Sequence, residues 1–257
     1  MNTLSMASNN KITFIGHATL LIDIDGIHLL TDPVLKNWIF HLHRQSMSVK
    51  KEHYQLIDAV LISHLHLDHF NIPSLKKIGM DILLLVPKGS GSILHKKGFS
   101  RIVEMRPGDS IQVGEVTITA TYAEHHGSRP PFGPHTGCLG YLIQGTHAIY
   151  FPGDTDIFPG MTNLAENLDV ALLPVWGWGP NLGPGHMDPH RAAEALTLLH
   201  PRIAIPIHWG TFYPALLRWV RSQLLIEPPR LFKQYASKIK PDVVVKILSP
   251  GSTYDIS

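Results

Sequence analysis

The chain has 257 residues, which at about 150 residues per domain is one large domain or two small ones. With 44% hydrophobic and 16% charged residues it is neither a disordered chain nor a coiled coil. Lys and Arg outnumber Asp and Glu by only 22 to 20, so charge makes no case for a nucleic-acid partner, and the single cysteine, Cys138, excludes an internal disulfide.

The polar segment 1–10 has no signal-peptide core, and no run of 18 apolar residues reads as a membrane span. The expectation is a cytoplasmic protein. Residues 12–15 and 20–24 read as strands, and the Asp25-Gly26 turn leads into a third at 27–31. Short β-branched, apolar runs follow at 59–62, 82–86, 116–120, 139–143, 148–151, 170–173 and 203–207. Helices are predicted at 74–78, 90–97, 161–167, 189–199 and 214–225, the fourth introduced by Asp188-Pro189, an N-cap followed by proline. Strands first and then strands mixed with helices suit two packed sheets with helices outside, an α/β or α+β layered sandwich. Two Gly/Pro/Trp-rich stretches, 129–137 and 176–185, are too long for tight turns and too apolar for plain solvent loops, so they are expected to line a site.

The chain carries 17 histidines, and their placement is more informative than their number. Ser63-His64-Leu65-His66-Leu67-Asp68-His69 directly follows the apolar run 59–62. At this histidine content the pattern H-x-H-x-D-H arises by chance about once in several hundred such chains. Alternating His64 and His66 can share one face while Asp68 and His69 turn to another, making two partial metal sites with open coordination. Further ligands must come from elsewhere. Glu124-His125-His126, Gly153-Asp154-Thr155 and Ile207-His208-Trp209-Gly210 each place polar residues just after a strand-like run. Singly each is an ordinary turn or surface histidine, but beside H-x-H-x-D-H they become ligand candidates.

With Thr31-Asp32-Pro33 these segments form an ordered series that resembles the metallo-β-lactamase superfamily along nearly the whole chain. The resemblance implies one domain over 1–257, a four-layer αβ/βα sandwich and a dinuclear metal site at one edge. It assigns His64, His66 and His125 to one metal and Asp68, His69 and His208 to the other, with Asp154 bridging and Asp32 fixing the histidine loop from behind. The words Gly16-His17-Ala18-Thr19, Phe151-Pro152-Gly153-Asp154-Thr155, Gly185-His186-Met187-Asp188-Pro189 and Ile207-His208-Trp209-Gly210-Thr211-Phe212 look like the branch of N-acylphosphatidylethanolamine phospholipase D and the ascorbate-6-phosphate lactonase-like hydrolases. That phospholipase family has a longer N-terminal region and Gln-His-Trp where this chain has Glu124-His125-His126.

The implied cofactor is two divalent metal ions, zinc first, with manganese or iron also compatible with a carboxylate bridge. Metal-activated water then serves as nucleophile, in keeping with the absence of a G-x-S-x-G elbow. Asp68 and Asp154 are the catalytic carboxylates, and His186 is the candidate to polarise substrate or protonate a leaving group. His17, His126 and Arg129 are candidates for supporting or substrate contacts, Arg129 as a fork for phosphate. Trp38-Ile39-Phe40 and Trp176-Gly177-Trp178 are candidate apolar rims. The expected activity is hydrolysis of a small or lipid-like phosphodiester, with a lactone or other cyclic ester as alternative and a non-catalytic metal-binding or regulatory protein as the reading of another class. Flavodiiron oxidoreductases normally carry Glu at the His66 position, and β-lactamases lack the bridging Asp. The expected partner is a small-molecule or lipid-like substrate, without nucleic acid and with homo-oligomerisation left open.

Overall fold

The computed structural model describes residues 10–127, 136–164, 166–177, 183–217, 220 and 222–256. Arg129 and Trp178 lie outside the described residues, as does most of the stretch 129–137. In chain order the strands are β1 (Lys11–Gly16), β2 (Thr19–Ile24), β3 (Ile27–Thr31), β4 (Trp38–Ile39), β5 (Leu42–Arg44), β6 (Ala59–Leu61), β7 (Leu83–Pro87) and β8 (Ile102–Met105). They continue as β9 (Ser110–Val113), β10 (Val116–Tyr122), β11 (Leu139–Gln144), β12 (Ala148–Phe151), β13 (Val170–Pro174), β14 (Ile203–Ile207), β15 (Phe212–Pro214), β16 (Val244–Val245) and β17 (Ser252–Asp255). The α-helices are α1 (Ile72–Ile78), α2 (Gly91–Lys96), α3 (Pro189–Leu199) and α4 (Glu227–Ile239).

Two seven-stranded sheets, ordered β17-β1-β2-β3-β6-β7-β8 and β16-β14-β13-β12-β11-β10-β9, make the body of the fold. Each combines an antiparallel half with a parallel half: β3, β6, β7 and β8 run parallel in the first, and β12, β13, β14 and β16 in the second. Alternation along the strands sorts side chains to two faces. Leu20, Ile22, Leu29, Ala59, Leu61 and Leu85 enter the core shared by the sheets and by α3 and α4. Their neighbours Ile15, Leu30, Val60, Leu84 and Val86 enter a second core on the outer face, with Leu75 of α1 and Leu94 of α2. The order helix, sheet, sheet, helix is the α/β sandwich expected from the sequence. A small sheet, β15-β5-β4, flanks this body. Among the described residues no helix is long and apolar enough to cross a membrane.

Two expected helices are replaced. Among the described residues of 161–167 the structure has only the end of a 3₁₀ turn, Pro159–Asn163, and Asn167 takes a left-handed φ of 66°. In 214–225, Pro214 ends β15, whose Phe212 pairs with Arg44 of β5, and two 3₁₀ turns, Ala215–Leu217 and Ser222–Leu225, follow. The helix in this region comes later. Glu227-Pro228-Pro229 opens α4, where prolines in the first turn cost no hydrogen bond, and Phe232 and Ala236 carry it into the core. For α3 the expectation holds: Asp188 accepts the Arg191 amide at 2.8 Å, and Ala192, Ala193, Leu196 and Leu199 are buried.

Candidate metal centre

The loops that carry chemistry leave one edge of the sandwich. Asp32 follows β3, Ser63–His69 follows β6, Asp154 follows β12, Trp176 follows β13 and His208 follows β14, all at carboxyl ends of parallel strands. This is where an open α/β sheet leaves room for ligands. His125 joins them because β10 runs in the same direction as β12, two strands away. A bridge between Glu124 and Asp156 ties the His125 loop to the loop after Asp154.

His64, His66 and His125 converge. His64 Nε2 lies 2.9 Å from His66 Nδ1, and His125 Nε2 lies 3.2 Å from the same atom. Burial holds the His64 imidazole well below its ordinary pKa and His125 at about 4, so both present lone pairs. Each ring is aimed from behind: His64 Nδ1 is 2.9 Å from Ser63 Oγ, and His125 Nδ1 donates to the Gly185 carbonyl at 2.8 Å. Such outer contacts fix the orientation of ligating histidines.

Beside them stands a second group. His69 Nε2 and His208 Nε2 are 3.1 Å apart, and they lie 3.7 and 3.8 Å from Asp68 Oδ2. Asp154 reaches both rings, with Oδ2 at 3.3 Å from His69 and Oδ1 at 3.2 Å from His208. These side chains too are held from behind. His69 Nδ1 donates to Asp32 Oδ2 at 2.7 Å, His208 Nδ1 donates to the Trp176 carbonyl, and His17 Nε2 sits 2.9 Å from Asp68 Oδ2. Burial lowers His208 to about 3, outweighing the nearby carboxylates. For His69 the balance reverses: burial alone would lower it, but Asp154, Asp68 and Asp32 hold it well above its ordinary value.

Asp32, His17 and His208 all adopt left-handed backbone, with φ of 34°, 59° and 64°. Such conformations cost non-glycine residues energy and persist where surrounding contacts enforce them. Two glycines allow the close approaches. At Gly153 (φ 65°) a Cβ would meet Ser63 Cβ at 2.4 Å, and at Gly185 (φ 79°) it would meet His125 Cα at 3.1 Å.

The donor set suits metal ions. Ligands held at about 2.0–2.1 Å around a tetrahedral ion stand about 3.3 Å apart, close to the separations within both groups. Asp154 Oδ1 is buried without a hydrogen-bond partner among the described residues, with His208 Nε2 at 3.2 Å. Four overlapping sets of His, Cys or carboxylate donors lie within 4.8 Å: His17/Asp68/His69/His208, His64/His125/Cys138, Asp32/His64/His69 and His125/Asp154/His186.

Of the remaining sequence candidates, His186 is brought in, with Nε2 at 3.6 Å from Asp154 Oδ2 and its ring 4.6 Å from that of His125. His126 is exposed and makes no hydrogen bond or ion pair with the group among the described residues. The structure therefore leaves it out of the cluster. Trp38 and Phe40 are exposed on the β4–β5 hairpin, whereas Trp176 is buried beside His208. Cys138 is not an isolated thiol: it belongs to the His64 and His125 set, and burial pushes it up to about 12. Sequence reading missed Ser63, Cys138 and the Trp176 and Gly185 carbonyls; only Ser63, next to His64, carried a local signal.

A family model described as beta-lactamase superfamily domain matches residues 28–209. A UPF0173 metal-dependent hydrolase of Deinococcus radiodurans is 32% identical over 253 residues, 96% of this chain and 99% of that relative. A UPF0173 protein of Pyrococcus furiosus is 28% identical over 247 residues, 96% of this chain and 100% of that relative. Among solved structures, a metallo hydrolase from the archaeon Ignicoccus hospitalis superposes with a TM-score of 0.74 at 25% identity, over 96% of this chain and 97% of that chain.

Proposed function

The chain belongs to the beta-lactamase superfamily domain family, and from that premise we propose that it is a metal-dependent hydrolase that uses water as its nucleophile. His64, His66 and His125 would hold one divalent cation and Asp68, His69 and His208 a second, with Asp154 available to both groups. Zinc is the first choice, given five histidines and two carboxylates, with manganese or iron as alternatives. The observation that carries this reading is the position of buried Asp154, which lies 3.3 Å from His69 and 3.2 Å from His208 and also shares a donor set with His125. When bound, a pair of divalent cations supplies Lewis-acid polarisation and lowers the pKa of water towards neutrality.

The side chains of the chain do the rest. Asp154 and Asp68 both approach His69 Nε2, at 3.3 and 3.7 Å, and both carboxyls stay ionised: burial would raise them, but the surrounding histidines hold both well below the ordinary carboxylate range. His17 fixes the Asp68 carboxylate so that one oxygen keeps its direction. His186, with Nε2 at 3.6 Å from Asp154 Oδ2, is placed to donate to the leaving oxygen. No Ser or Cys nucleophile is required, and the high pKa of Cys138 makes it a poor one.

The bond cleaved is that of a small or lipid-like phosphodiester or of a lactone or other cyclic ester, the two alternatives carried by the resemblance of the words around His17, Asp154, His186 and His208. The test is reconstitution of metal-free protein with zinc, manganese or iron(II), followed by metal analysis and assay on bis-p-nitrophenyl phosphate and on a lactone series. The expected stoichiometry is about two per chain, with loss of metal in His64→Ala/His66→Ala and loss of turnover in Asp154→Ala. A stoichiometry near zero, or full turnover by Asp154→Ala, overturns the reading.

A further inference from the structure

Tyr141 is a fully buried phenol on β11, in the second of the two large sheets. Its hydroxyl donates to the Ile62 carbonyl at 2.7 Å and lies 3.1 Å from the Leu85 carbonyl. Ile62 follows β6 and Leu85 lies in β7, so this hydrogen bond crosses from one sheet to the other. Burial holds the phenol well above its ordinary pKa, so the oxygen keeps the proton it donates. Around it the core is apolar, and a hydroxyl buried there is tolerable only when it is hydrogen-bonded.

The Ile62 carbonyl is one that the strand ladder cannot serve. β6 and β7 pair in parallel with Leu61 opposite Leu85, and the Ile62 amide donates to the Leu85 carbonyl at 2.9 Å. In a parallel ladder the next rung would bring the amide of residue 87 to the Ile62 carbonyl. Residue 87 is a buried proline at the end of β7 and has no N–H to give. The Tyr141 hydroxyl takes the place of that amide. One residue further on, the Leu139 amide donates to the Ser63 carbonyl at 2.9 Å. Two consecutive carbonyls just before His64 are thus held from the second sheet, by β11 and the residue that begins it. β11 itself lies between β10, which leads to His125, and β12, which leads to Asp154.

We propose that Tyr141 is a positioning residue of the metal centre. By taking the carbonyl that Pro87 leaves unserved, it fixes the distance between the His64–His66 loop of the first sheet and His125 on the second. Its link to cation binding rests on the proposed metal-dependent reading, whereas the positioning of the loop stands without it.

The experiment compares wild type with Tyr141→Phe, which keeps the ring and removes the donor, and with the double variant Tyr141→Phe/Pro87→Ala, which restores an amide at the missing rung. Zinc affinity, read by competition with a chromophoric chelator, should fall about ten-fold in Tyr141→Phe, the scale of an outer contact that orients ligands. The double variant should recover most of that loss, the non-additivity expected of two groups serving one acceptor. In the metal-free protein, the amide resonances of residues 63–69 and of His125 should shift in Tyr141→Phe and return towards wild type in the double variant, with urea unfolding confirming that each variant is folded. A fall in stability with unchanged zinc affinity and unchanged amide resonances would mark a merely structural hydroxyl and overturn the proposal, as would a loss that Pro87→Ala leaves in place. Wild-type protein that takes up no cation would reject the metal-dependent reading, and the amide resonances of the metal-free variants would still decide the role of Tyr141. Two-cation uptake by wild type, with affinity and resonances indifferent to Tyr141→Phe, would do the reverse.

Discussion

His69 Nδ1 donates to Asp32 Oδ2 at 2.7 Å, and Asp32 also accepts from Ser63, from the amide at 2.7 Å and the hydroxyl at 2.5 Å. One fully buried carboxylate after β3 therefore holds the histidine loop after β6 at both ends. Replacing Asp32 by Ala leaves a buried histidine and serine without their acceptor. The expected cost is about 3–5 kcal/mol of folding stability in the metal-free protein and roughly a 10- to 100-fold loss of metal affinity. Urea unfolding and competition with a chromophoric chelator measure the two separately; unchanged metal affinity would show that Asp32 does not orient His69.

Metal uptake should release protons. In the metal-free protein Asp154, Asp68 and Asp32 outweigh burial and hold His69 well above its ordinary 6.5, so it is charged at neutral pH and must lose a proton to bind metal. Calorimetric titration at pH 7 in buffers of different ionisation enthalpy should show about one proton released from this ring. The sign for stability follows from the same shift. A raised histidine stabilises the metal-free fold fully below 6.5 and loses that contribution as pH rises through its folded value. Asp68 and Asp154, held low, contribute above 3.8 and lose it as pH falls through their folded values. Stability of the metal-free protein measured between pH 4 and 9 should thus decline on the alkaline side, and the decline should vanish in His69→Ala.

His186 lies 3.6 Å from Asp154 and shares a donor set with it and His125, so its substitution separates assistance at the leaving group from metal binding. His186→Ala should keep its metal content and lose about 100-fold in kcat on substrates with poor leaving groups. The loss should shrink for p-nitrophenolate, which needs little protonation. An equal loss for good and poor leaving groups would assign the ring to substrate positioning, and loss of metal would make it a ligand.

Gly185 lets its loop approach His125 closely enough for the carbonyl to accept from Nδ1. Gly185→Ala adds a Cβ at 3.1 Å from His125 Cα and forces a side chain into φ 79°. The left-handed backbone alone costs about 1–2 kcal/mol. The expected outcome is weaker metal binding at the His64, His66 and His125 group with little loss at the other, read by stepwise metal titration. Equal weakening of both steps would show that the loop supports the whole edge.

The local pattern of the chain was enough for the inner strands of the two sheets, because alternation and β-branched runs are short-range signals, but not for the short edge strands β8, β9, β16 and β17. It was also enough for H-x-H-x-D-H, whose spacing is chemistry written within seven residues. The start of α3 was equally legible, since Asp188-Pro189 acts on its own first turn. The helix at 227–239 was hidden, because Pro228-Pro229 reads as a break unless the first turn is known to lie there. Tertiary structure alone decided which groups brace the histidines of the site from behind. His17 and Asp68 are 51 residues apart, and His125 and the Gly185 carbonyl 60, yet each pair is in contact. Such contacts depend on the register and direction of whole strands, and the Trp176 and Gly185 carbonyls carry no side-chain signature at all. His125 and His126 make the point within one dipeptide: His125 meets His66 and the Gly185 carbonyl, while His126 is exposed.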